Sequence, residues 1–221
     1  MRGIHKNCSR TLKSGLLLAI AFAPFFLQAT TLIHAGKLID GKSDQAQTKM
    51  TIVIKDNLIT DVIKGYKNPK DDETYLDLKG YTVLPGLMDM HVHFGGEYQS
   101  KAERPSKVEK EMQAILATQD AYVTFSAGFT TVRQVGDSGM VAISLRDAIN
   151  QGKVVGPRIF TSGKSLATTG GHADPTTGRA VGKYDYPLPE DGVVNGTYEV
   201  YAAVRQRYKA VSYTHLRAHE T

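Results

Sequence analysis

His91 and His93 stand two residues apart in the run Met88-Asp89-Met90-His91-Val92-His93-Phe94. If that run is a strand, side chains at i and i+2 leave the same face, so both imidazoles address one point. Two neutral imidazoles suit a divalent metal, and the C-terminal ends of barrel strands are where such folds gather their chemistry. By spacing alone, an isolated pair is more often incidental to a strand than a metal site, so its context must decide. Asp89 lies two residues before His91 and shares its face. It reads equally as an acceptor that orients an imidazole and as a buried carboxylate tied to backbone donors. His172 follows two glycines in Thr169-Gly170-Gly171-His172. Their backbone freedom allows close approach to a substrate carboxylate or carbonyl, against the alternative of an exposed loop histidine. Arg133 has the fork geometry for a carboxylate, but a structural salt bridge with Asp137 or Asp174 is the expectation on general grounds.

The elements that must position these groups repeat. Leu87 to Phe94 reads as a buried strand. Ser106 and Glu109 have capping-box spacing, and Val108, Met112, Ile115, Leu116, Gln119, Tyr122 and Val123 continue at helical spacing until Gly128. Phe129 to Val135 is a second strand rich in β-branched residues, after which Asp137-Ser138 caps a helix through Val141, Leu145 and Ile149 to Gly152. Arg158 to Ser162 starts a third unit, and a Gly-rich loop from Gly163 to Gly196 leads to a helix from Tyr198 to about Lys209. Repeated β-then-α units predict a parallel sheet, and three of them are too few to close an eight-stranded barrel. Upstream, from Thr31 to about Leu84, the pattern is that of a small β domain. Thr51 to Ile54 and Leu58 to Ile63 flank Asp56-Asn57, a dipeptide suited to the positive φ of a tight hairpin. Thr31 to Ile33 and Tyr81 to Leu84 add short strands around a polar loop, Asn68 to Glu73. So few strands bury little alone and are expected to need partners from elsewhere in the chain.

Composition narrows the class. The 221 residues are 41% hydrophobic and 22% charged, which describes a globular chain and excludes disorder throughout. The formal charge of +5 arises largely in the first 29 residues, where Arg2, Lys6, Arg10 and Lys13 meet no acid. The remainder holds 23 bases, four fewer than the 27 of the whole chain, against 22 acids. No basic block remains that would bind a phosphate backbone, so nucleic acid is not an expected partner. Gly15 to Leu27 is an apolar run behind that basic start and ahead of Gln28-Ala29, the order of a secretory signal peptide cleaved near Ala29. The run is short for a membrane span and contains Pro24, so no stable anchor is expected after cleavage. Cys8, the only cysteine, precedes the run. The mature chain would then have none, which excludes disulfides and thiol catalysis. A periplasmic or secreted location follows as the expectation.

Val83-Leu84-Pro85-Gly86-Leu87-Met88-Asp89-Met90-His91-Val92-His93 resembles the first barrel strand of the amidohydrolase superfamily, in which a small β-sandwich leads into a histidine pair. Gly128-Phe129-Thr130-Thr131-Val132-Arg133, Leu145-Arg146-Asp147-Ala148-Ile149-Asn150, Gly156-Pro157-Arg158-Ile159 and Thr169-Gly170-Gly171-His172 resemble the imidazolonepropionase-like branch, which includes exported Xaa-Pro-type dipeptidases. The resemblance covers roughly residues 30 to 210. It implies an α/β fold, the N-terminal portion of a distorted (β/α)8 barrel with a small β-sandwich domain. It also implies one or two divalent metal ions, commonly zinc, and hydrolysis of a carbon–nitrogen bond in an amide, cyclic amide or short peptide. On it, His91 and His93 are metal ligands and His172 leans towards substrate binding, while Asp89 is kept as a candidate for orienting an imidazole with its two readings equal. Catalytic zinc takes three protein ligands plus an open position, so the pair is not a finished site. The family's bridging lysine, further histidines and proton-shuttling aspartate belong to later strands not visible here. No catalytic residue is therefore assigned within the chain, and the bridging role is not transferred to Lys209.

The resulting organisation is a signal peptide over 1–29, part of a β-sandwich over 30–84, the first three to four β/α units over 85–210, and a suspected non-native tail over 211–221. In that tail His215 and His219 are four apart, the spacing of a zinc-binding helical pair. Leu216 occupies the place of the required glutamate, and the string resembles a translated sequencing-adapter read-through. The chain is accordingly expected to be an incomplete, inactive and poorly soluble portion of its parent, since an open parallel sheet leaves a pairing edge. For that parent the leading function is an exported metal-dependent amidohydrolase acting on a dipeptide or small amide. A cyclic-amide hydrolase or deaminase on the same scaffold, or a non-catalytic exported binding protein, are the alternatives. A homo-oligomer is left open.

Overall fold

The computed structural model describes residues 30–95, 110–137, 140–177 and 187–210. The leader, the 106–109 capping box and the 211–221 tail lie outside them. The chain divides into two compact units, Met1–Leu84 and Pro85–Thr221.

In the first unit, β1 (Thr30–Leu38), β2 (Gln47–Lys55), β3 (Leu58–Lys64) and β4 (Glu73–Val83) form one sheet in the order β3-β2-β1-β4. β1 and β2 are antiparallel, as are β2 and β3, whereas β1 and β4 run parallel. The β2–β3 hairpin turns at Asp56-Asn57, with Asp56 at φ 54°. Alternation places Ile33 and Ala35 of β1 opposite Ile52 and Met50 of β2, and these join Leu38, Ile54 and Val83 in a small core. The outer strands are exposed, with Leu58, Ile59 and Leu76 open to solvent. Of the expected sandwich, the described residues form a single sheet. Its fourth strand starts at Glu73 rather than Tyr81, because Glu73 to Leu78 take their strand conformation from parallel pairing with Thr30 to Ala35 of β1.

The second unit carries the predicted parallel sheet, β5 (Leu87–Val92), β6 (Phe129–Gln134) and β7 (Arg158–Thr161), in sequential order. Helices α1 (Lys110–Ser126) and α2 (Val141–Asn150) connect these strands, and α3 (Thr197–Lys209) follows the Gly-rich loop. Val132 and Ile159 pack with Ala117 and Ala121 of α1, Val141 and Leu145 of α2, and Phe94. Phe94 is buried just past the strand it was expected to end, since β5 stops at Val92. Likewise α2 begins at Val141, not directly after Asp137-Ser138, with Met140 as its N-cap. Asp137 still serves the helix terminus, its Oδ2 accepting the Ala142 N–H at 2.6 Å. The three described strands form an open parallel sheet and not a closed barrel.

Candidate active site

The two histidines leave the C-terminal end of β5 on one side, with His91 in the strand and His93 one residue past it. Their Nε2 atoms are 3.3 Å apart. The Nδ1 of His93 lies 3.0 Å from the Gly136 carbonyl. A carbonyl only accepts, so Nδ1 carries the proton and the Nε2 lone pair is left outward. Asp89 acts on the backbone: its Oδ1 accepts the His91 N–H at 2.9 Å, which fixes the chain at His91 and not the ring. The ring-orienting acceptor in this site is Gly136.

Gln134, fully buried at the end of β6, holds this arrangement together. Its Oε1 accepts the Phe94 N–H at 2.9 Å, and its Nε2 donates to the same Gly136 carbonyl at 3.1 Å. One side chain thus ties the residue after His93 to the acceptor of the His93 ring. Asp120 of α1 adds a second tether by accepting the Gly95 N–H at 2.7 Å. The Gly136 segment lies hard against Ser165, whose Oγ donates to the Val135 carbonyl at 3.1 Å, and a side chain at position 136 would run into that hydroxyl. Sequence reasoning missed Gln134 and Asp120. The parity of Gln134 with Val132, two residues apart on a buried strand face, was the available signal.

A cavity of about 730 Å³ opens beside the pair, and His91, His93, Arg133, Lys164, His172 and Arg207 all line it. That volume is in the range of small-molecule sites. His172, exposed on its loop, is thereby brought to the same cavity as the pair. Arg133 departs from expectation, because neither predicted salt bridge forms. Asp174 instead accepts the Thr176 Oγ and N–H and the Gly170 N–H at 2.7–2.8 Å, and these bonds, that of the Thr176 hydroxyl foremost, hold its carboxyl below the usual range. Arg207 donates from Nε to the Lys164 carbonyl at 3.2 Å and from Nη1 to Gln206 at 3.1 Å. Burial lowers its pKa, opposed by the charge of Asp137.

A model of the Amidohydrolase family matches residues 82–220. The chain belongs to the amidohydrolase family. Among curated relatives of this amidohydrolase, the ochratoxinase of Aspergillus niger is 28% identical over 190 residues, covering 79% of this chain and 39% of that protein. Among solved structures, a Xaa-Pro dipeptidase with methionine bound in its active site is 73% identical with a TM-score of 0.79, over 83% of this chain and 45% of that one. A prolidase complexed with N-methylphosphonate-L-proline is 29% identical with a TM-score of 0.71, at the same coverage of both chains. The amidohydrolase chain thus spans less than half the length of these relatives.

Amidohydrolases are generally metal-dependent, and the donor pair here fits a metal. Tetrahedral zinc with bonds of about 2.0–2.1 Å sets two ligand nitrogens about 3.3 Å apart, and the two Nε2 atoms have that spacing. Among the described residues no third His, Cys, Asp or Glu joins them.

Proposed function

We propose that the protein carrying this chain is an exported, metal-dependent amidohydrolase that cleaves a carbon–nitrogen bond of a dipeptide or small amide. The observation that carries the reading is the pair of imidazole nitrogens 3.3 Å apart in the lining of a cavity large enough for such a substrate. The relatives support hydrolysis of this bond class, and the highly similar Xaa-Pro dipeptidase favours a dipeptide. The basic and apolar leader supports export to the periplasm or beyond.

His91 and His93 would hold one of one or two divalent ions, zinc being the fitting choice for nitrogen donors. When bound, such an ion supplies Lewis acidity, polarising an amide carbonyl and drawing the pKa of water towards about 7. The chain's own residues do the rest. Gly136 keeps the His93 proton on Nδ1, so Nε2 remains a donor lone pair. Asp89 anchors the strand at His91, and Gln134 keeps both strand ends in register. His172, which lines the same cavity, would contact the substrate.

The test uses the full-length protein that carries this chain. Metal content and hydrolysis of a panel of Xaa-Pro dipeptides and small N-acyl amides are measured before and after chelation. Expected are metal-dependent hydrolysis, a loss of at least about 100-fold on chelation, and loss of bound metal in the His91→Ala/His93→Ala double variant. Chelator-insensitive turnover defeats the metal assignment, while ligand binding without any turnover favours a binding protein.

A further inference from the structure

Among the described residues, Arg133 is the cation of the cavity that has no carboxylate beside it. Three cations among the described residues line that space, Arg133, Lys164 and Arg207, and no described Asp or Glu does. Lys164 has Asp191 at 3.6 Å, and Arg207 feels the charge of Asp137. The two acids within reach on sequence grounds are committed elsewhere, Asp137 to the Ala142 amide and Asp174 to Gly170 and Thr176. Among the described residues Arg133 forms no ion pair and no side-chain hydrogen bond. Strand parity adds direction: Val132 and Gln134 are fully buried, Val132 in the core beneath the helices, so Arg133 between them projects from the opposite face of β6, where the histidine pair also lies along the cavity wall. A half-buried guanidinium has surrendered hydration, and its planar fork of donors matches a carboxylate bidentately.

We propose that Arg133 is a specificity-determining residue that receives the free carboxylate of the substrate, so the site selects N-acyl amino acids and dipeptides over their C-terminal amides. This rests on the hydrolase reading for the position of the scissile bond, which would lie at His91 and His93. The probes are N-methanesulfonyl-L-alanine and its carboxamide, which carry a sulfonamide in place of the scissile amide and are not turned over. Their affinities for the full-length, metal-loaded protein are measured by calorimetry for the wild type, Arg133→Lys and Arg133→Met. A charge-assisted bidentate contact predicts that the wild type holds the acid about 10–100-fold more tightly than the amide. The preference should disappear in Arg133→Met and return in part in Arg133→Lys, with the affinity for the amide nearly constant. Equal or absent binding of the two probes by the wild type overturns the assignment. So does a preference that survives in Arg133→Met, or in Arg133→Lys at full strength should the methionine variant not fold. Because neither probe is hydrolysed, a failure to cleave any dipeptide would count against the hydrolase reading alone.

Discussion

Gln134 shows how much a single buried side chain can decide at this site. Its amide is a donor and an acceptor at once, and both ends are spent on backbone groups that flank the histidine pair. Gln134→Leu preserves approximate volume but leaves the Phe94 N–H without its acceptor, a loss of about 1–3 kcal/mol for a buried donor. It also frees the Gly136 carbonyl to shift away from the His93 ring. Partners that orient a metal-binding histidine are typically worth about 10–100-fold in metal affinity. The expected outcome is therefore a lower urea midpoint together with a zinc affinity reduced by that factor, read by competitive titration in the full-length protein. Gln134→Glu separates the two roles, since a carboxylate still accepts from Phe94 but cannot donate to Gly136. An unchanged zinc affinity in both variants would reduce Gln134 to a packing residue.

At the scale of elements, strands were legible wherever β-branched runs met turn chemistry. The β2–β3 hairpin follows from Thr51 to Ile54, Leu58 to Ile63 and the Asp56-Asn57 turn, where Asp56 takes the positive φ that the dipeptide suggested. β4 was legible only in its last residues, because Glu73 to Gly80 are strand by virtue of their partner: Thr30 to Ala35 of β1 pair with Glu73 to Leu78 in parallel, and no local pattern announces that. The same pairing has an irregularity at Gly36, where an added Cβ would strike the Lys79 carbonyl. Gly36→Ala should therefore cost about 1–3 kcal/mol in the first unit, read as a shift in urea midpoint without change of slope. The β1–β2 connection carries a pH signature of its own. Asp40 accepts the Gln47 side chain, the Ser43 and Lys42 amides and the Ser43 hydroxyl, and the bonds from Ser43 and Lys42, the Ser43 amide first, lower its pKa to about 2. A depressed folded-state pKa gives stability that is complete above the unfolded value, about 3.9, and lost as pH falls through about 2. Asp40→Asn should flatten the acid limb of the thermal midpoint between those two values, and an unaltered limb would assign the acid sensitivity to other carboxylates.

Across the whole molecule, the chemistry was legible where it rests on local spacing and hidden where it rests on long-range bonds. The i, i+2 rule placed His91 and His93 on one side of a strand, and the structure brings their Nε2 atoms to 3.3 Å. No periodicity could join Gln134 to Phe94, 40 residues earlier, or draw Lys164 and Arg207 from a loop and a distant helix into one cavity wall. Under the proposed function these elements would share one bound metal ion, so metal removal is the perturbation with the widest reach. An ion bound only by the folded state stabilises it by RT ln(1 + [M]/Kd), about 2.7 kcal/mol at a hundredfold excess over Kd. Because both proposed donors sit at the end of β5, whose pairing with β6 and then β7 builds the second unit's sheet, that stabilisation should register in those strands. Hydrogen exchange on the full-length protein should show amide protection in β5 and β6 falling when a chelator is added and recovering with zinc. The His91→Ala/His93→Ala variant should sit at the chelated level and respond to neither. Protection indifferent to zinc in the wild type, or zinc-dependent in the double variant, would place the metal elsewhere in the protein.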